Sequence, residues 1–311
     1  MVTRAGGSPG SPDVPALLAV AVTVVSWASA FVVIRWVGPS FAPAPLALGR
    51  LLVGVVALGA LLAVRRRWMA PQRREWALLL LCGLAWFAAY NVALNAAERL
   101  VDAGTAAMLV NVGPLLIALL AGALLGEGFP RWLLAGAGIA FTGTVLIGVA
   151  TAGGGSADVT GVLLCLLAAL TYAAGVLAQK PLLARLPALQ VTWTACTIGA
   201  LACLPAAGGL VDDAARAPAG AVAALVYLGA VPTALAFGTW AFALSRMPAG
   251  RLAVATYLSP PLAVLGSWAL LGEAPPLLAL AGGALALVGV ALSRRTSRPR
   301  PAAVETLVED A

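Results

Sequence analysis

The chain has 311 residues, of which 62% are hydrophobic and 10% are charged, and its mean hydropathy is +0.99. Soluble domains carry about a quarter charged residues, so this composition excludes a soluble globular protein. The formal charge of +7 does not indicate a nucleic-acid partner, because in a membrane protein the position of each basic residue matters more than the sum.

Apolar runs follow one another along the chain after a polar segment, residues 1–13, whose Gly, Ser and Pro content predicts a disordered tail. A membrane-spanning helix uses roughly 20 residues, which is the length of these runs. Short connections rich in Gly, Pro or charge separate them, and residues 294–311 form a polar C-terminal tail. We predict ten spans, at about 15–37, 43–64, 75–97, 103–125, 131–151, 159–181, 187–209, 218–242, 250–271 and 277–293.

Basic residues mark one side of the predicted membrane protein. With the N-terminus inside, the cytoplasmic segments hold fifteen Lys and Arg residues, whereas the opposite side holds two, Arg99 and Arg216. Because cytoplasmic loops carry the excess of basic residues, both termini are expected in the cytoplasm, and the number of spans is expected to be even. The Ala, Gly, Pro and Arg bias is typical of a GC-rich bacterial genome, so the predicted location is a bacterial cell membrane.

The two halves of the chain repeat each other at an offset of about 146 residues. Pro114 corresponds to Pro260, and the run ALLGE at 123–127 corresponds to 269–273. At an offset of 145, Trp27 corresponds to Tyr172. Each repeat, residues 14–151 and 159–293, holds five predicted spans. Since five is odd, the second repeat must cross the membrane in the opposite direction, which is the inverted repeat found in many transporters.

These residues resemble the EamA branch of the drug/metabolite transporter superfamily over about residues 14–293. The likeness lies in WASAF at 27–31, in Arg50, and in a signature from Asn95 through ALLGE to GTVLIGV, whose counterpart runs from Ala243 to GGALALVGVAL. The resemblance implies an all-α integral membrane protein with ten transmembrane helices in two inverted five-helix repeats. It also implies a central cavity that opens alternately to each side and the transport, often export, of small metabolites.

Polar residues inside the spans are candidates for a substrate cavity, because they cost free energy in hydrocarbon unless they are satisfied. Asn91 and Asn95 lie four residues apart on the third span, with Tyr90 adjacent, and Asn111 lies on the fourth. These side chains indicate either a hydrogen-bonding cavity wall or contacts between packed helices.

Pro114 and Pro260 each remove a backbone donor within a predicted span and so indicate paired kinks. The kinks either border the cavity or are purely structural. Asn111 and Tyr257 lie three residues before each proline, which predicts that they are at the same level of the membrane.

Charged and aromatic residues add further candidates. Arg50 lies about 9 Å into the second span, so it either binds an anionic group or pairs with an acid, or it snorkels to the outer surface. Glu127 and Glu273 end corresponding spans and indicate either gate contacts or helix capping. The full set of cavity candidates is Trp27, Arg50, Tyr90, Asn91, Asn95, Asn111, Pro114, Tyr172, Trp240, Tyr257 and Pro260.

The function expected from the sequence is secondary transport of small metabolites or amino-acid-like solutes by alternating access, with the lipid bilayer and a small-molecule substrate as partners. The alternative is a structural or lipid-handling membrane protein. An enzyme is not expected, because the spans lack clustered carboxylates, histidine or a nucleophile with a base. No cofactor and no metal are expected. No acid lies at the middle of a predicted span, so a buried proton relay is not evident, and the oligomeric state is not indicated.

Overall fold

The computed structural model describes residues 13–124, 131–151, 156–246 and 255–293, and every regular element in these ranges is helical. Six helices are long and apolar enough to cross a membrane. Shorter apolar helices cover Ala103–Ile117, Arg131–Ile147 and Leu277–Leu292. The prediction of an all-α membrane protein is therefore confirmed.

The first half contains the following helices in chain order. Asp13 caps the first of them, since its carboxylate accepts from the Ala16 amide at 3.2 Å. Asp102 likewise caps the helix that starts at Ala103. The helices are α1 (Val14–Val37), α2 (Pro43–Arg65), α3 (Arg73–Cys82), a π-helical segment (Gly83–Ala89), α4 (Tyr90–Ala97), α5 (Ala103–Val110), α6 (Gly113–Leu124) and α7 (Arg131–Thr151).

The second half is likewise composed of helical elements. Its helices are α8 (Ser156–Leu182), α9 (Ala188–Cys203), a 3₁₀ turn (Leu204–Ala206), α10 (Ala207–Arg216), α11 (Ala219–Leu228), a second π-helical segment (Gly229–Leu235), α12 (Ala236–Arg246), a 3₁₀ turn (Thr256–Leu258), α13 (Ser259–Leu271) and α14 (Leu277–Ser293). Gly272, with a φ of 68°, ends α13 in the left-handed conformation that glycine adopts without strain.

One helical region extends further than predicted. The hydropathy pattern ends the seventh span near residue 209, but α10 continues as helix to Arg216. The Asp213 carboxylate near the end of α10 accepts from the Ala42 amide at 2.8 Å. Ala42 precedes α2, which has no side-chain cap of its own, so Asp213 caps the start of that helix. Hydropathy could not show this contact, because it joins segments that are far apart in the chain.

The two π-helical segments start at Gly83 and Gly229, which are 146 residues apart. A π-helix replaces the regular α-helical backbone hydrogen bonds with bonds between residues five apart. In both segments a side chain donates a further hydrogen bond to a backbone carbonyl at or next to the π-helix. The Asn91 amide donates to the carbonyl oxygens of Trp86 (3.4 Å) and Phe87 (2.7 Å). In the second segment the Thr233 hydroxyl donates to the Leu228 carbonyl oxygen at 2.8 Å.

We expect Asn91→Leu to lower the free energy of unfolding by about 1 kcal/mol, because leucine keeps the volume of the side chain but removes the donor. The measurement is thermal unfolding in detergent. The matched control is Thr142→Ala, which removes a hydroxyl that donates to the Gly138 carbonyl within a regular turn of α7. Equal unfolding midpoints for the two variants would show that the π segment does not depend on Asn91.

Glycines bring α7 and α14 into backbone contact. A Cβ at Gly143 would lie 2.4 Å from the Gly282 carbonyl oxygen. A Cβ at Gly289 would lie 2.6 Å from the Gly136 carbonyl oxygen. Both distances are far below van der Waals contact, so only glycine fits at these crossings.

Several other helix pairs pack between elements that are distant in the chain. α1 packs against α12 and α13, α8 packs against α4 and α6, and α2 packs against α9. The four cysteines are buried and unbridged, and a free buried cysteine packs as a small apolar residue.

Candidate functional site

A cavity lies between α1, α2, the first π segment, α4, α5 and α8 and the second-half helices that face them. The volume open to the centre of a water molecule is about 70 Å³. The lining residues are Trp27, Ala30, Phe31, Arg50, Trp86, Tyr90, Leu94, Ala107, Val110, Asn111, Tyr172, Phe237, Thr256 and Ser259.

Six of the fourteen lining residues of the cavity are aromatic. The Trp27 and Phe237 ring centroids are 5.4 Å apart, and Trp86 lies 4.9 Å from Phe237 and 5.3 Å from Tyr172. Trp27 and Tyr172, which correspond in the sequence repeat, both line the cavity. Such a wall favours apolar groups and offers ring faces to a cationic group.

Arg50 is the charged side chain of this wall, and it is only 3% exposed. Its Nε donates to the Thr233 hydroxyl oxygen at 3.2 Å, and that hydroxyl in turn donates to the Leu228 carbonyl. The guanidinium therefore lies inside the helix bundle and is oriented by the second π segment. A buried guanidinium with donors directed at a cavity is suited to bind a carboxylate.

Two breaks in the helices add polar groups at corresponding positions. Asn111 lies between α5 and α6, lines the cavity, and its buried Nδ2 has no hydrogen-bond partner among the described residues. Thr256 and Ser259 line the cavity from the break before α13, and the Ser259 hydroxyl likewise has no described partner. A solute that accepts and donates hydrogen bonds would satisfy these groups.

Pro114 and Pro260 lie just after these breaks, as the second residues of α6 and α13. A proline in the first turn of a helix removes no intrahelical hydrogen bond. Each proline therefore begins a new helix after the break and does not kink a continuous one. Neither proline belongs to the cavity lining. Pro260 instead borders a separate apolar groove with Met108 and Leu280.

The remaining predicted site residues also lie off the lining. Asn91 is directed at the π segment, and the Asn95 amide donates to the Pro43 carbonyl oxygen at 3.0 Å. Trp240 packs against Trp27, with 5.1 Å between ring centroids. Tyr257 packs against the apolar cluster that contains Val112 and Leu115.

Of the eleven predicted cavity residues, the structure brings five together on the lining, namely Trp27, Arg50, Tyr90, Asn111 and Tyr172.

Glu273 forms an ion pair with Arg35, whose Nε lies 3.0 Å from both carboxylate oxygens. The contact joins the end of α1 to the loop after α13. Glu127, its counterpart in the first repeat, lies outside the described residues. Across the molecule, Arg185 pairs with Glu75 at the start of α3.

The sequence interpretation did not single out several residues at or beside the cavity, and Glu98 and Thr233 are the important ones. Glu98 was assigned to a connection, yet it is only 1% exposed. A signal was present: Asn91, Asn95 and Glu98 are spaced by four and three residues, which places them on one helix face. Thr233 had no comparable signal, because its part as the acceptor for Arg50 depends on a contact across 183 residues.

A membrane-embedded helical protein with a central cavity of this kind belongs to the class of small-solute carriers. The EamA-like transporter family profile matches residues 14–149 and again residues 159–295. This match covers most of the chain, so the protein belongs to the EamA-like transporter family.

Relatives cover nearly the whole chain. A protein of Streptantibioticus cattleyicolor named "Probable terminal-alkyne amino-acid exporter" is 40% identical over 285 residues, which is 90% of this chain and 94% of that protein. The "Uncharacterized transporter YdfC" of Bacillus subtilis is 35% identical over 85% of this chain and 86% of its own length. A "Probable amino-acid metabolite efflux pump" of Salmonella typhimurium is 28% identical over 88% and 95%.

One crystal structure also resembles this fold. It has a TM-score of 0.63 and 22% sequence identity, and the match covers 90% of this chain and 97% of that one. At this identity the likeness concerns the fold alone.

Proposed function

We propose that this protein exports small amino-acid-like metabolites across a bacterial cytoplasmic membrane by alternating access. The observation that carries the proposal is the aromatic-lined cavity on which Arg50, itself buried, is the one cation among the described lining residues. Arg50 would bind the solute carboxylate, Asn111 would hydrogen-bond its polar groups, and the aromatic rings would hold its side chain.

The solute class is supported by the relatives as well as by the cavity. Two of them carry names that refer to amino-acid export or efflux, and one of these names specifies a terminal-alkyne amino acid. A slender apolar group such as an alkyne fits a wall formed by Trp27, Trp86 and Phe237.

An arrangement of ten helices in two inverted repeats is part of the proposal. Its main support is the reciprocal contact between α7 and α14, in which Gly143 meets Gly282 and Gly136 meets Gly289. Adding 146 to Gly143 gives Gly289, and subtracting 146 from Gly282 gives Gly136, so the second pair is the first with the helices exchanged. Two helices that pair in this reciprocal way run antiparallel about a pseudo-twofold axis, which is the geometry of an inverted repeat. The π segments at corresponding positions agree with it.

We expect both termini in the cytoplasm, because the proposed inner side holds fifteen basic residues against two outside. The test uses a variant in which the four cysteines are replaced, with single cysteines at Arg67→Cys, Ser297→Cys or Arg216→Cys. In intact cells a membrane-impermeant thiol reagent should label only Arg216→Cys, and the other two should react after permeabilisation. Labelling of either inner position in intact cells would contradict the orientation.

The transport function is tested in proteoliposomes loaded with an unlabelled amino acid. Uptake of the same radiolabelled compound by exchange is measured for a panel that includes L-propargylglycine, L-leucine and L-threonine, with empty liposomes as the control. We expect exchange of at least one small amino acid that the unlabelled compound saturates. Absence of exchange for the whole panel, together with movement of fluorescent lipid between leaflets, would favour the lipid-handling alternative.

A further inference from the structure

Glu98 is a buried acid beside the cavity, and its side-chain carboxylate is unpaired within the part of the chain that the structure describes. It directly follows α4 and is 1% exposed, and its neighbours Ala97 and Val101 belong to an apolar cluster. Neither carboxylate oxygen has a hydrogen-bond partner among the described residues. Leu94, which lines the cavity, lies one helical turn earlier, so Glu98 is about 6 Å further along the helix axis.

Two cations lie within electrostatic reach of this carboxyl, but only one of them has an acid as a close partner. Arg35 is paired with Glu273, and its Nη1 donates to the backbone carbonyl of Glu98 at 2.7 Å. Arg50 has no ion pair among the described residues. The titratable and charged groups that act on the Glu98 carboxyl from the surrounding elements are Arg35, Arg50, Tyr90, Asp102 and Cys165.

A carboxyl group in this position binds a proton readily. Burial raises the pKa of the Glu98 carboxyl well above its ordinary value, and the nearby Arg35 and Arg50 oppose that shift only in part. The buried Oδ1 atoms of Asn91 and Asn95 on the same helix face also have no described donor. The face therefore presents a row of hydrogen-bond acceptors, to which a protonated carboxyl would add a donor.

We propose that Glu98 is a proton-binding site linked to the binding of a carboxylate-bearing solute at Arg50. This rests on the proposed function. A solute carboxylate in the cavity and an ionised Glu98 compete for the same guanidinium and repel each other. Binding of the solute therefore favours addition of a solvent proton to a Glu98 carboxylate oxygen, and protonation of Glu98 strengthens solute binding by the same factor.

The test measures binding of radiolabelled L-propargylglycine to the purified protein from mildly acidic to mildly alkaline pH. For the wild type, the dissociation constant should fall by up to about tenfold for each unit of decreasing pH in the range where Glu98 titrates. An indicator dye in weakly buffered solution should report uptake of a proton on binding. The decarboxylated amine of the same compound should show neither effect.

Variants separate this linkage from a structural role. Glu98→Gln imitates the protonated acid. At every pH tested, this variant should bind L-propargylglycine as tightly as the wild type does at low pH, and binding should take up no proton. Glu98→Asp keeps a titratable group and should keep a pH dependence, while Asp212→Asn, which neutralises an exposed acid, should match the wild type.

Each outcome decides between the two proposals. Binding that weakens on acidification, binding by wild type that is independent of pH, or an unchanged pH profile in Glu98→Gln would overturn the linkage and leave transport intact. No binding and no exchange of any panel compound by the wild type would overturn the proposed function itself, and the linkage with it.

Discussion

Replacing Arg50 with glutamine is expected to weaken the binding of carboxylate-bearing solutes roughly ten- to hundredfold. The estimate follows from the 1.5–3 kcal/mol that a hydrogen bond to a charged group typically contributes. The loss should be large because Arg50 is buried and is the one charged residue on the lining of the described cavity. No other group on that wall can replace its positive charge.

The measurement is the concentration dependence of amino-acid exchange in proteoliposomes. Arg50→Lys keeps the charge but not the paired donors, so its affinity should be intermediate. Arg99→Gln removes an exposed arginine and should leave affinity unchanged, which controls for the loss of one positive charge. Amines without a carboxylate should be unaffected by Arg50→Gln. Wild-type affinity for the amino acid in that variant would remove Arg50 from the binding site.

Replacing Gly143 with alanine is expected to lower the free energy of unfolding by about 1–3 kcal/mol, the typical cost of overpacking. The new Cβ would lie 2.4 Å from the Gly282 carbonyl oxygen and 2.5 Å from the Ala286 amide nitrogen. Both atoms are backbone, so a side-chain rotation cannot relieve the contact. The two helices must separate, and the contacts along their length weaken together.

Gly138→Ala is the matched control, because it lies on the same helix and a Cβ there would meet nothing within 4 Å. Its unfolding midpoint in detergent should equal or exceed that of the wild type, since alanine favours helix. Gly289→Ala should resemble Gly143→Ala, because it is the partner expected from the reciprocal contact. If Gly143→Ala and Gly138→Ala unfold at the same temperature, the close crossing of α7 and α14 is wrong.

The sequence by itself determined the membrane location, the helical class and most helix boundaries. Each of these depends on a property that is local in the chain: an apolar run of the required length, ended by a cap, a proline or a glycine. Asp13, Asp102 and Gly272 end or begin helices where their chemistry predicts. The alignment of Trp27 with Tyr172 also came from the sequence, because the repeat is visible without coordinates.

Which polar residues lie on the cavity was decided by the tertiary structure. A π-helical segment changes the helical register, so the face on which Asn91 and Asn95 lie relative to Trp86 could not be obtained from a regular period of 3.6 residues. In the structure both side-chain amides donate to backbone carbonyls, whereas the Arg50 guanidinium lines the cavity and donates to the Thr233 hydroxyl.

Glu98 shows the same division most clearly. Its place in the sequence is a polar connection between two apolar runs, and hydropathy assigns such connections to the membrane surface. The packing of α1, α2 and α8 around that connection buries it instead. Burial depends on how separate helices meet in space, and a property summed along the chain does not contain that information.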